Sequence, residues 1–268
     1  MTCARALATG WPKTAHALAG SAEDRRARRL PIAVKSPPMS DAAAIHLRPT
    51  APLAERVLLP GDPGRALALA QALLQEPRMF NHHRGLWGYT GAAADGRPLT
   101  IQATGMGGPS AAIVLTELFA LGARRAIRVG TCGALADGLA LGDLVIAREA
   151  ISADGTSRAL GARERVAADV ALTDALAAHA PSALLGAVVS VDLFYERDER
   201  REDRGAVAIE MEAAALFATG AHVGAAVGCI LAVSDTFDAH GTRERIDDHT
   251  LLAAAERMGR AAIAALSE

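Results

Sequence analysis

From Ile45 to the C-terminus, short apolar runs of strand length alternate with longer segments of helical period. Repeated alternation of this kind restricts the chain to a layered α/β domain. Arg56–Leu59 is a short apolar run closed by Pro60-Gly61 and reads as a strand. Arg65–Leu74 carries helical periodicity. Leu99–Ala103 reads as a strand leading into the glycine-rich Thr104–Ser110, with Ser110 as the N-cap of a helix through Leu121. Ala126–Val129, Leu144–Ala147, Ala187–Val191 and Ala225–Val233 read as buried strands. Ala168–Ala178, Glu212–Thr219 and Asp248–Leu266 read as helices, the last of them amphipathic. No internal repeat or linker interrupts this stretch, so one domain is expected over residues 41–268.

Composition excludes several classes of partner. Half of the residues are apolar, enough to bury a sizeable core. The net charge is -2 and no basic stripe stands out, which argues against a nucleic-acid partner. The Arg25–Arg29 and Arg200–Arg204 runs are interleaved with acids, as solvated faces are. The longest apolar stretch, around Val223–Val233, is too short to span a bilayer. Three cysteines, Cys3, Cys132 and Cys229, fit neither a zinc spacing nor a disulfide framework, so a reducing, cytoplasmic compartment is expected. Residues 1–40 are rich in Ala, Arg and Pro without a sustained period. A targeting peptide, a disordered tail and a start site misplaced upstream of Met39 are the readings of that stretch, and the last two are favoured.

Four constellations carry chemistry. Gly61-Asp62-Pro63-Gly64-Arg65 follows the first strand. A glycine there lets backbone N–H groups approach an anion, a helix N-terminus points at the same place, and Arg65 offers a fork matched to phosphate. An ordinary Asp-Pro-Gly turn is the plainer reading. Arg128-Val129-Gly130-Thr131-Cys132-Gly133 also follows an apolar strand. Burying Arg128 there requires an anion, supplied either by a ligand or by a core carboxylate. Two strand-end Gly/Arg pieces in one α/β domain favour a shared anion pocket. Glu210-Met211-Glu212 sits at a strand-to-helix junction. Glu212 can accept from two neighbouring sugar hydroxyls and Met211 can pack on the sugar's apolar face, against the alternative of an acidic first helical turn. Ser234-Asp235 ends a strongly apolar strand, a poorly solvated place suited to a general acid, although an Asx turn reads equally well.

Taken in order, GDPGRA, NHHRG, TGMGGPS, RVGTCGAL, VDLFY, EMEAA and VSD resemble the hexameric purine nucleoside phosphorylases, and the resemblance covers nearly all of residues 45–268. It implies a three-layer α/β sandwich around a mixed, partly barrel-closed sheet, assembled as a hexamer, a trimer of dimers that share active sites. It implies inorganic phosphate as co-substrate, with no metal and no organic cofactor. Gly61, Arg65, Arg128 and Thr131 match the family's phosphate-binding positions. Arg84 matches an arginine lent to the phosphate by the adjacent subunit, and His46 a histidine that crosses the interface toward the sugar 5′-hydroxyl. Met211 and Glu212 match ribose contacts. Phe194, Glu210 and Ser234 lie at the base, Asp235 matches the proton donor to purine N7, and Arg245 matches an arginine assisting that acid. The implied chemistry is phosphorolysis: phosphate attacks the anomeric carbon of an oxocarbenium-like centre while the acid neutralises the departing base.

The resemblance extends to neighbouring branches. Uridine phosphorylases share much of the pattern, including TGMGGPS and Asp154–Ser157. They carry a Gln and an Arg after the Phe-Tyr pair. Here Asp198 stands at the Gln position, and it only accepts hydrogen bonds when ionised. Arg200 suits the other position, so half of the uracil-reading pair is missing, and Asp235 favours a purine. Methylthioadenosine phosphorylases share GDPGRA and EME. The segments around Arg158–Asp169 and Arg200–Ala206, near the expected base pocket, look shorter than in relatives. A nucleosidase using water has no need of three phosphate-facing arginines, and a non-catalytic nucleoside-binding protein has no need to keep both the acid and the arginines.

Overall fold

Successive side chains of Arg56–Leu59 point into two different cores. Val57 and Leu59 join one cluster and Leu58 the other, because a strand sends alternate residues to opposite faces and both faces are covered by helices. This is a computed structural model, which describes residues 44–195, 204–237 and 242–268. The expected N-terminal extension, residues 1–40, lies outside the described residues.

The elements run β1 (Arg56–Leu59), α1 (Pro63–Leu73), β2 (Gln75–Asn81), β3 (Gly88–Ala92), β4 (Pro98–Gln102), α2 (Gly108–Ala120), β5 (Arg125–Ala134), β6 (Leu144–Ser152), α3 (Gly155–Ala159), β7 (Arg165–Ala167), α4 (Val170–His179), β8 (Leu184–Ser190), β9 (Ala208–Glu210), α5 (Ala213–Val223), β10 (Ala226–Phe237), β11 (Arg243–Arg245) and α6 (Asp248–Ser267). One mixed sheet has the order β11-β10-β6-β8-β9-β5-β1-β4-β3-β2, with β7 on β6. A further pairing of β10 with β5 closes β5, β9, β8, β6 and β10 into a five-stranded ring. Leu69, Leu73, Leu172, Leu176, Met258 and Leu266 bring α1, α4 and α6 to one face. Val114, Leu115, Leu118, Leu216 and Phe217 bring α2 and α5 to the other. This is the α/β sandwich around a mixed, partly barrel-closed sheet.

β5 joins the open part of the sheet to the ring. Its first half pairs with β1, Leu59 lying opposite Arg128. Its last residues pair instead with β9, Gly133 opposite Ile209. Between these two registers the strand edge faces a crevice beyond the end of β1, the kind of switch point at which α/β sheets bind ligands.

Three boundaries that bear on the site differ from the sequence reading. β5 continues through Gly130–Ala134 and β10 through Ser234–Phe237, so both motifs are strand segments rather than strand-end loops. The ring pairing of β5 with β10 supplies the hydrogen bonds that keep the chain extended there. α2 begins at Gly108 with Gly107 as its N-cap. Ser110 lies inside its first turn, its hydroxyl donating back to the Thr104 carbonyl. The sequence reading also lacked β2, β3, β7, β9, β11 and α3. β2 is largely exposed and contains Pro77, and β7, β9 and β11 span three residues each, too short to show a period.

Candidate active site

A cavity of about 720 Å³ occupies this crevice. Twelve of the thirteen residues singled out from the sequence line it; His46 does not. At its inner end lies Arg128 on β5, 3% exposed. Its Nε donates to Glu210 Oε2 at 3.1 Å and its Nη2 lies 2.5 Å from Glu212 Oε2. Burial alone would lower this guanidinium's pKa, but Glu212 and Glu210 reverse the effect and hold it well above its ordinary value. Its Nη1 is buried and has no hydrogen-bond partner. A Cβ built on Gly61 would stand 4.0 Å from that atom. A buried guanidinium N–H left unpaired beside a bare glycine is a donor awaiting an acceptor.

Arg65 faces the same space from the first turn of α1. Asp62 caps that helix, its Oδ1 accepting from Arg65 N at 2.6 Å. Among the described residues the Arg65 side chain makes no hydrogen bond. Burial lowers its pKa, Asp62 offsets part of that, and Arg128 and Arg245 push it lower. Clustered cations raise the gain from binding an anion among them. Arg84 and Gly85 border the cavity from a 3-10 turn, at φ 58° and 71°. A non-glycine residue adopts this left-handed geometry only at a cost, on the order of 1 kcal/mol. The sequence reading assigned Arg84 to a neighbour's site; in the single chain it borders its own.

The middle of the cavity is framed by Thr131, Met211 and Glu212. Glu212 Oε1 accepts from Gly107 N at 2.5 Å, so this carboxylate ties the start of α2 to Arg128. Glu210, placed at the base by the sequence reading, is committed to the protein. Its carboxylate accepts from Arg128, from the Ser190 hydroxyl and from the backbone N–H groups of Glu212 and Ala213. These bonds hold Arg128 and the first turn of α5 in place.

At the outer end, a register shift in β10 between Val233 and Asp235 re-aims the chain as it pairs with Gly133. Ser234 Oγ donates to Asp235 Oδ2 at 2.7 Å and lies 3.2 Å from the Cys132 carbonyl. Arg243 Nε donates to Asp235 Oδ1 at 2.6 Å. The Arg243 guanidinium also lies 4.4 Å above the Phe194 ring, a cation–π distance. Arg245, the arginine chosen from the sequence, pairs with Asp235 in the strand register, but its Nη1 stands 3.8 Å away and the side chain is 65% exposed. Arg243 thus makes the closer contact with the acid, although the β10–β11 register sets Arg245 opposite it. Val191, Leu193, Ile209 and Phe237 complete an apolar wall. Asp198 and Arg200 lie outside the described residues.

His46 sits away from the cavity, its Nδ1 2.7 Å from Glu117 Oε1. Burial would raise the Glu117 pKa, yet the His46 ring and the N–H groups of Leu47, His46 and Ile45 lower it overall. Glu117 was missed in the sequence, where it looks like any polar residue of a helix. Among the described residues no cluster of His, Cys, Asp and Glu is arranged to hold a metal ion, and no helix is long and apolar enough to cross a membrane.

Residues 55–267 match the family model described as the phosphorylase superfamily. Similar proteins include the DeoD-type purine nucleoside phosphorylase of Clostridium beijerinckii, 35% identical over 207 residues, covering 72% of this chain and 86% of the relative. The DeoD-type enzyme of Alkaliphilus metalliredigens is 36% identical over 200 residues, covering 69% and 83%. That of Geobacillus kaustophilus is 37% identical over 197 residues, with the same coverage. A match over most of the domain, with Arg65, Arg84 and Arg128, paired glutamates and an acid lining one cavity, places the chain in the phosphorylase superfamily, to which it belongs.

Proposed function

We propose that this chain catalyses phosphorolysis of purine nucleosides, yielding a free base and a pentose 1-phosphate. The observation that carries the reading is the buried, unpaired Nη1 of Arg128 facing Gly61, with Arg65 beside it. Inorganic phosphate supplies oxygens to these donors and charge to these cations. The names of the relatives and the acid at the cavity's outer end support a purine.

Phosphate held by Gly61, Arg65, Arg128, Thr131 and Arg84 sits against the sugar's anomeric carbon, where its charge stabilises the oxocarbenium-like centre before attack. Met211 and Glu212 position the sugar. The glycosidic C–N bond breaks with its electron pair passing to the base, and Asp235 delivers a proton to N7. Arg243, already on Oδ1, takes up the charge left on the carboxylate. Ser234 orients the acid and Phe194 lies beside the base. No metal or organic cofactor enters this scheme. His46 lies off its own cavity, so its contribution to a sugar requires a second copy of the chain. We therefore propose a homo-oligomer with shared sites, hexameric like the family it resembles, acting in the cytoplasm on nucleoside and phosphate.

The test is base release from inosine, adenosine, methylthioadenosine and uridine, each with and without phosphate. Phosphate-dependent release from a purine nucleoside is expected. Release from uridine alone would move the assignment to the pyrimidine branch, and phosphate-independent release would make the protein a hydrolase.

A further inference from the structure

We infer that Asn81, assisted by Gln102, is the positioning residue that mounts Arg84 for phosphate and ties it to the segment bearing His46; the inference rests on the reading of Arg84 as a phosphate contact. Asn81 ends β2, is fully buried and does not itself line the cavity. Its Nδ2 donates to the Leu86 carbonyl at 2.5 Å and lies 3.4 Å from that of His83. Its Oδ1 accepts from Arg48 N at 2.9 Å. Gln102, on β4 and equally buried, donates from Nε2 to the same Leu86 carbonyl at 2.9 Å, although its own Oε1 is left without a partner.

Two buried amides therefore converge on one carbonyl, two residues after Arg84. The N–H of the same residue, Leu86, closes on the His83 carbonyl the turn in which Arg84 and Gly85 take consecutive left-handed conformations. The preferred right-handed backbone at Arg84 would swing its side chain away, and the donors on Leu86 and His83 oppose that relaxation. The other side of the same clip reaches His46: Asn81 holds Arg48, His83 Nδ1 donates to the His46 carbonyl at 3.1 Å, and Glu117 receives the N–H groups of residues 45–47. One buried side chain thus joins the two segments that carry Arg84 and His46.

The inference is tested by a double-mutant cycle on the full-length protein, with Asn81→Ala, Arg84→Ala and both together, reading the KM for phosphate, the KM for nucleoside and kcat. Asn81→Ala and Arg84→Ala should each raise the phosphate KM on the order of 10-fold, and the double variant should be no worse than Arg84→Ala alone. Gln102→Met removes the unpaired Oε1 together with the donor, so it should keep the melting temperature while still raising the phosphate KM. Gln102 touches only the Arg84 side, so its nucleoside KM should stay unchanged, whereas Asn81→Ala should raise both. Multiplicative effects in the double variant, or a Gln102→Met enzyme with unaltered phosphate KM, would overturn the inference and leave Arg84's role standing. An Arg84→Ala enzyme with normal phosphate KM would overturn the reading of Arg84 itself.

Discussion

Gly130 leaves open the space in which the guanidinium of Arg128 lies: a Cβ there would come within 2.6 Å of Arg128 Cζ and 2.7 Å of Nη2. The arginine curls back over its own strand, two residues on, and this is what directs its Nη1 toward Gly61 rather than along the sheet. Gly130→Ala should displace the guanidinium from Glu210 and Glu212 as well as from phosphate. Overpacking of this kind costs about 1–3 kcal/mol, so the phosphate Kd should rise roughly 5- to 150-fold. Calorimetric titration of phosphate checks this; unchanged affinity would mean that the guanidinium is seated by other groups.

Asp235 and Arg243 should separate in their effects. Asp235→Ala removes the proposed proton donor and should lower kcat with a purine nucleoside by about 10²–10⁴-fold. Arg243→Gln keeps the acid and loses the charge on it, so kcat should fall less. Arg245→Gln should fall least, given its exposure. Steady-state kinetics of the three variants decide the order. A larger loss in Arg245→Gln than in Arg243→Gln would restore the arginine chosen from the sequence.

The C-terminal helix is fastened by an ion pair between buried Arg56 and exposed Asp95, and its pH dependence can be signed. Asp95, in the β3–β4 turn, accepts from Arg56 Nη1 at 2.7 Å and from Ser267 of α6 at 2.7 Å. Its hydrogen bond from Arg56 outweighs burial and holds the carboxyl well below the usual carboxylate range. A folded pKa below the unfolded one, about 3.9, means that the native state binds fewer protons. The stabilisation is therefore complete above about pH 5 and is lost as the pH falls through the folded pKa. Asp95→Asn should lower the urea midpoint at pH 7 and flatten its decline in acid. An equal acid slope in both proteins would show that Asp95 does not carry this dependence.

The proposal of shared sites can be tested by mixing inactive chains. A His46→Ala, Arg84→Ala double variant has an intact cavity core, and an Asp235→Ala variant has an intact clip. Co-refolding the two should regenerate activity in hybrid sites if both clip residues act across an interface. Arg84 borders its own cavity, so the mixture also decides its direction: no recovery would place Arg84 in the site of its own chain.

Much of this site was legible in the sequence because its chemistry is written in short motifs beside apolar runs. Gly61 and Arg65 stand directly after β1, and a strand followed by a capped helix puts them at one end of the sheet by local geometry alone. Arg128 inside an apolar run demanded an anion, and the core-carboxylate answer weighed in the sequence is present. Two nitrogens meet the core carboxylates Glu210 and Glu212, and the third is left open. Glu210 shows the limit of such reasoning. Its position in EMEAA says that it is near the site, but only the folded hydrogen bonds say that its carboxylate is already satisfied.

The sequence by itself determined the alternation of strands and helices and the layered class, because period and turn chemistry act over a few residues, while the resemblance to the family pointed to most of the residues that line the cavity. Tertiary structure alone decided that β5 and β10 close a ring through their own motifs, that Arg243 rather than Arg245 rests on Asp235, and that Asn81 and Glu117 clasp the segments around Arg84 and His46. These depend on strand pairing and on contacts that local period does not set. Such pairings are selected by the closure of the whole sheet and leave no periodic trace along the chain.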